Sequence, residues 1–352
     1  MTQTTEEFAD RLFRSALGTA ELLSVYLGDR LGWYRALADG GPADAAALVE
    51  RAGGVQRYAR EWLEQQASCG ILTTTGDGRF ALPPGAAEVL TDTRSLNYLA
   101  PLARTFAAAA VQLPALVGAY RDGGGVAWAT FGTEMREAQA DANRPWFEHA
   151  LPAALAGVPA LDEVLSAPGA RIADVGCGAG WSTIALARAY PQATVHGFDV
   201  DPPSVAMATA NAQEAKLRDR VTFHLVDAGG GLPDTGDYDA AFAFECVHDL
   251  PHPARVLAAM RGAVRPGAPV VVMDEAVGEA FHAPGDDVER LMYGFSTLVC
   301  LPDSMTDPES AATGTVMRPD TLRGYAREAG FTDVDVLPIE DFGFFRFYQL
   351  RH

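Results

Sequence analysis

Apolar positions recur at helical spacing through "TAELLSVYLGDRLGWYRALAD" (19–39), the period of a helix with one buried face. "GPADAAALVERAGG" (41–54) predicts a second helix with a Gly-Gly stop, and "VQRYAREWLEQQASCGI" (55–71) a third. The pattern then shortens: "ILTTTGDGRFALPP" (71–84) alternates around Gly-Asp-Gly, a hairpin signal. Helices closing on a small β wing predict a winged-helix-like domain over residues 1–95. Residues 96–165 are alanine-rich and read as a helical linker and lid, broken at Gly123-Gly124-Gly125.

From about residue 166 strand and helix patterns alternate. Strands are predicted over 171–175, 193–199, 221–226, 238–244, 269–274, 333–338 and 343–350, with helices between all but the last two. Alternation of this kind implies an α/β fold, a doubly wound and mainly parallel seven-stranded sheet over 166–352. The last two runs, in "DVDVLPIEDFGFFRFYQL", are joined by too few residues for a crossover, so the final strand must be antiparallel.

Charge narrows the possible partners. The 352 residues carry 46 acids against 27 lysines and arginines, a net of −19, and Lys216 is the only lysine. Such a surface repels nucleic acid and anionic lipid. No run approaches the ~20 apolar residues of a membrane span. Cys69, Cys177, Cys246 and Cys300 lack metal or disulfide spacing and fit reduced thiols in a cytoplasm.

The chemistry concentrates in "RIADVGCGAGWSTIALARAYPQATVHGFDVD" (171–201). Its turn reads G-x-G-x-G through Gly176, Gly178 and Gly180. Trp181 stands where a dinucleotide fingerprint places its third glycine, which argues against a bound pyrophosphate. Gly176 permits the turn, Gly178 lets a ligand approach the backbone, and Gly180 lets the helix pack on the strand. Asp174 puts a carboxylate near a ligand that should carry positive charge. Asp199, 19 residues past Gly180, is placed to accept ribose hydroxyls. Asp227 ends the third strand, with Ala228 beside it, where an adenine amino group can be met. A cationic nucleoside without phosphate describes S-adenosylmethionine.

On these residues the chain resembles the class I S-adenosylmethionine-dependent methyltransferases, whose sheet ends in such an antiparallel strand. It is similar to small-molecule methyltransferases with a winged-helix domain in front, and to one bacterial branch through "ECVHDL", "APGDDVERLMYG" and "AATGTVMRPDTLRGYAREAGF". The resemblance implies a homodimer joined through residues 1–95, a small-molecule methyl acceptor in secondary metabolism, and Asp174 as partner of the methionyl amine. Residues after the fourth strand then face the sulfonium and the acceptor, which adds Glu245 to the cofactor set. His248-Asp249 matches the catalytic pair of plant-type O-methyltransferases, and Glu275 stands where those relatives keep an acid that orients the histidine. A neutral imidazole there can take the acceptor's proton during in-line displacement. Trp146, Phe147, Tyr293 and Arg318 are the candidate acceptor contacts.

Three other readings compete. Related α-keto-acid C-methyltransferases hold a metal with two histidines, one at the His248 position. Here Val299 replaces the second, so no metal is expected. A cyclase or decarboxylase would keep the same cofactor turn. A DNA-binding regulator would need a basic front domain, but residues 1–95 hold 13 acids against nine arginines.

Overall fold

The computed structural model describes residues 3–233 and 237–352. It divides into two compact units, one up to Ala110 and one from Val111 onward.

The first unit opens on α1 (Thr5–Arg30), started by a capping box in which Thr4 and Glu7 satisfy each other's backbone N–H. There follow α2 (Trp33–Gly40), α3 (Ala45–Ala52), α4 (Gln56–Ser68), the two-stranded ribbon β1 (Thr73–Thr74) and β2 (Phe80–Ala81), then α5 (Pro84–Thr91) and α6 (Ala100–Val111). Its core gathers Trp33, Tyr34, Leu37, Leu48, Leu63 and Trp62. The division falls inside α6, not at residue 95, because Ala103 joins this core and the buried Arg104 pairs with Asp29.

Helices α7 (Leu113–Asp122) and α8 (Trp128–Pro145) open the second unit, either side of the triple glycine. Helix α8 is kinked at Gly132, whose φ of 77° leaves the helical region. A π-turn (Trp146–Ala150), α9 (Leu151–Ala156) and α10 (Pro159–Ser166) lead into the sheet region. There β3 (Arg171–Val175), α11 (Trp181–Ala189), β4 (Thr194–Asp199), α12 (Pro202–Glu214), β5 (Val221–Leu225), β6 (Ala240–Phe244), α13 (Pro253–Ala263) and β7 (Val270–Glu275) alternate. Helices α14 (Asp287–Phe295), α15 (Leu301–Ser304) and α16 (Pro319–Glu328) precede β8 (Asp333–Val336) and β9 (Phe345–Arg351).

The seven strands run in the order β5-β4-β3-β6-β7-β9-β8, and β9 is antiparallel to both neighbours. Each predicted strand forms within about two residues of its expected ends. The expected start at 238 is trimmed because Tyr238 makes an isolated bridge to Val264. Every residue of β6 and β7 is buried, as strands covered on both faces must be. One core packs Ile172, Phe242, Met273 and Phe347 on one face of the sheet; another packs Ala173, Phe198, Val272 and Tyr348 on the other. Among the described residues no single helix is long and apolar enough to cross a membrane.

Candidate active site at the strand tips

The parallel strands all end on one edge of the sheet, where an open α/β fold binds its ligands. At the tip of β3, Gly176, Gly178 and Gly180 all adopt positive φ, at 72°, 51° and 80°. A Cβ on Gly176 would lie 2.6 Å from the Cys246 sulfur, and one on Gly180 would lie 2.6 Å from the Phe223 ring. Gly178 differs, because nothing stands within 4 Å of a Cβ built there. Two glycines are therefore demanded by protein packing, while the middle one leaves its backbone facing open space. Asp199 holds this turn from β4: Oδ2 accepts the Gly178 N–H at 2.8 Å and Oδ1 accepts the Asp201 N–H at 2.8 Å. Burial raises its pKa above the usual carboxylate range.

Asp174 lies deeper than its predicted role requires. It has no exposed surface, and Oδ2 accepts from Ser182 Oγ at 2.7 Å and Thr183 Oγ1 at 2.5 Å. Its Oδ1 has no hydrogen-bond partner among the described residues, and burial pushes its pKa up to about 6. The cavity above the turn encloses about 100 Å³ and is lined by Gly176, Gly178, Trp181, Phe147, Arg136 and Glu245 among others, but not by Asp174.

At the tips of β6 and β7 a second arrangement forms from side chains. His248 is 2% exposed. Its Nδ1 lies 2.9 Å from Asp274 Oδ1 and 3.2 Å from Glu275 Oε2, while Nε2 lies 3.3 Å from Asp249 Oδ1. Burial opposes a charge on this imidazole, but the carboxylates of Asp249, Asp274 and Glu275 outweigh it and raise the pKa well above the ordinary histidine value. Burial pushes Glu275 well up as well, whereas the His248 cation overcomes burial to hold Asp274 low. Together these shifts favour positive charge on His248 and negative charge on Asp274, and disfavour a charge on Glu275. Donor atoms of His248, Asp249 and Cys300 lie within 4.8 Å of one another, as do those of His248, Asp274 and Glu275, close enough to share a cation.

Comparison with known proteins now has a geometry to meet. Residues 172–267 match the family model described as "Methyltransferase domain". This stretch, from β3 to just past α13, is a methyltransferase domain. A methyltransferase, GfsG, of Streptomyces halstedii is 34% identical over 132 residues, 37% of this chain and 45% of that protein. The chain spans less than half the length of the first curated relatives it matches. Among solved structures, an O-methyltransferase family protein from Burkholderia thailandensis superposes with a TM-score of 0.72 at 19% identity, covering 100% of this chain and 99% of that one. Human N-acetylserotonin methyltransferase, solved with S-adenosylmethionine, gives 0.71 at 19%, covering 99% of each chain.

The methyltransferase domain fits the cofactor of its class in the features a phosphate-free nucleoside needs. The backbone at Gly178 is open, Asp199 accepts its N–H, and Trp181 at the start of α11 lines the cavity. Asp227 is exposed at the tip of β5, where Oδ1 accepts the Gly229 N–H at 2.8 Å, and Ala228 is buried beside it.

The predicted acceptor contacts scatter. Phe147 packs on Phe244, with ring centroids 5.6 Å apart, and lines the cavity. Trp146 turns away onto Phe342. Arg318 is committed within the protein, donating to Glu289 Oε1 at 2.5 Å, the Gly278 carbonyl at 2.7 Å and Tyr293 Oη at 3.3 Å. A side chain so occupied is a strut between α14 and α16, not a free cation awaiting a substrate carboxylate.

Sequence reasoning missed Asp274 and the inner face of α8. Asp274 and Glu275 are adjacent acids at one strand end, and either could have been the histidine's partner. Arg136, Gln139 and Asn143 share one helix face, but in "REAQADAN" that spacing looks like any solvated surface.

Proposed function

We propose that this chain transfers the methyl group of S-adenosylmethionine to a small-molecule acceptor of secondary metabolism. The observation that carries this reading is the turn at 176–180, whose middle glycine faces open space while Asp199 bonds its N–H. When bound, the cofactor supplies an electrophilic methyl group on a sulfonium. The protein's part is alignment, exclusion of water and removal of the acceptor's proton.

His248 and Asp249 act as one acid–base pair in this reading. Asp274 holds the Nδ1 proton; the Nε2 proton passes first to Asp249, and the freed Nε2 then takes the proton of the incoming acceptor. Asp249 is the outer member, with 37% of its side chain exposed against 2% for His248, so the proton leaves the site through it. A buried histidine pressed by three carboxylates is a poor lone base but a firmly held relay.

The test is stoichiometry. Incubation with S-adenosylmethionine and a panel of phenols, amines and α-keto acids should yield S-adenosylhomocysteine in equal amount to a methylated product. Product formed without S-adenosylhomocysteine would favour a cyclase or decarboxylase in which the cofactor is only an electrostatic helper.

We further propose that the protein works as a homodimer in the cytoplasm, joined through its first unit. That unit leaves Phe8, Leu12, Phe13 and Leu17 of α1 more than half exposed. It also opens an apolar cleft of about 490 Å³ lined by Leu27, Leu31, Val55, Tyr58 and Trp62. Exposed apolar surface of this extent marks an interaction site. Sedimentation should give twice the chain mass of 37.3 kDa, and Phe13→Glu should return it to the monomer; a monomeric native protein ends the proposal.

A further inference from the structure

Glu245, the residue after β6, has a backbone that needs explaining. Its φ is 52°, in the left-handed region, which costs a non-glycine residue about 1 kcal/mol. The conformation is held by its N–H, which donates to the Met273 carbonyl at 2.7 Å. Strain of this kind gathers where a side chain must be aimed. Here it aims the carboxylate into the cavity over the glycine turn.

The side chain is met from α8. Gln139 Nε2 donates to Oε1 at 3.1 Å, and Asn143 Nδ2 donates to Oε2. Both partners are neutral amides, so the carboxylate is oriented without being neutralised. One turn earlier on the same face, Arg136 is taken by Asp201, with Nε and Nη2 bonding at 2.7 and 2.8 Å. It is therefore not the counter-ion of Glu245. Asp174, the acid expected to meet the methionyl amine, is sealed beneath the turn. Among the described residues no cation bonds to this carboxylate directly, and His248 acts on it only through space; Glu245 is the acid that lines the cavity, and the cofactor brings one ammonium group.

We propose that Glu245 is the residue that binds the cofactor's ammonium group, and that Gln139 and Asn143 are its positioning residues. The inference rests on the cofactor reading above. Helix α8 then does more than cover the site, because it orients the group that recognises the amino-acid end of the cofactor.

Calorimetry on the full chain separates the possibilities, using two nucleosides that differ in that end. S-adenosylhomocysteine carries the ammonium; 5′-methylthioadenosine lacks it. Glu245→Gln should weaken S-adenosylhomocysteine at least tenfold and change 5′-methylthioadenosine less than twofold. Asn143→Ala, which leaves the carboxylate in place, should show the same ligand-selective loss at about threefold. Burial pushes the Glu245 pKa up to about 7, with His248 and Asp274 the charged groups facing it from the neighbouring turn and from β7, and Arg136 the cation on α8. Because a cation binds the ionised form, wild-type affinity for S-adenosylhomocysteine should fall as pH drops from 8 to 5.5, by roughly thirtyfold. That dependence should vanish in Glu245→Gln; if it persists, the titration belongs to His248 or Asp274 and the assignment fails. Equal weakening of both nucleosides, or of neither, overturns the inference and leaves the cofactor reading standing. Failure of the wild-type chain to bind either nucleoside removes the cofactor reading, and the inference with it.

Discussion

The tips of β3 and β4 and the tips of β6 and β7 lie on one edge of one sheet, yet they are built on opposite principles. The first is made of backbone. Three glycines in positive φ and two N–H groups on Asp199 shape its surface. The second is made of buried charge: His248, Asp249, Asp274 and Glu275 converge from a strand end and the turn after another. A backbone cradle recognises shape and needs little tuning. A buried charge cluster holds protons in an arrangement that any one substitution unbalances. On the proposed function, recognition of the nucleoside and handling of protons fall to different chemistry along one sheet edge.

Substitutions should respect that division. The larger effect is expected at the charge cluster: His248→Asn, which keeps a donor toward Asp274, should lower turnover by roughly 10²-fold or more. It should leave S-adenosylmethionine affinity within about threefold, as calorimetry can check. Wild-type turnover would remove the relay role, and a parallel loss of affinity would mean that the two regions are not separable. The smaller effect is expected at the cradle. Asp199→Ala should weaken S-adenosylmethionine at least tenfold, about 1.4 kcal/mol, while saturating cofactor restores most of the turnover. Unchanged affinity would end the ribose assignment.

The same contrast explains what could be read from the chain beforehand. The cradle is a local device, so its signature is contiguous: a strand, three spaced glycines, a helix, and an acid one strand later. The strands of the sheet were legible for a related reason, since β6 and β7 are buried on both faces and read as unbroken apolar runs. The charge cluster depends on which side chains the fold brings together. Asp274 could not be chosen over Glu275 without knowing that its oxygen lies 2.9 Å from Nδ1. Arg318, plausible as a substrate contact by its charge, turns out to be bound to Glu289 from another helix. Gln139 and Asn143 gave no signal at all, because an amide on a helix face acquires meaning only from what stands opposite it.

The cavity over the cradle encloses about 100 Å³, whereas pockets for molecules of this class run from about 300 Å³ upward. On the proposed function, a bound nucleoside needs more room than this cavity gives, so its wall must yield on binding. Helix α8 forms part of that wall, and for it to bend at its Gly132 kink the Arg136–Asp201 pair would have to open. An opening of that kind would set a ceiling on turnover of its own, separate from how quickly the methyl group is passed on.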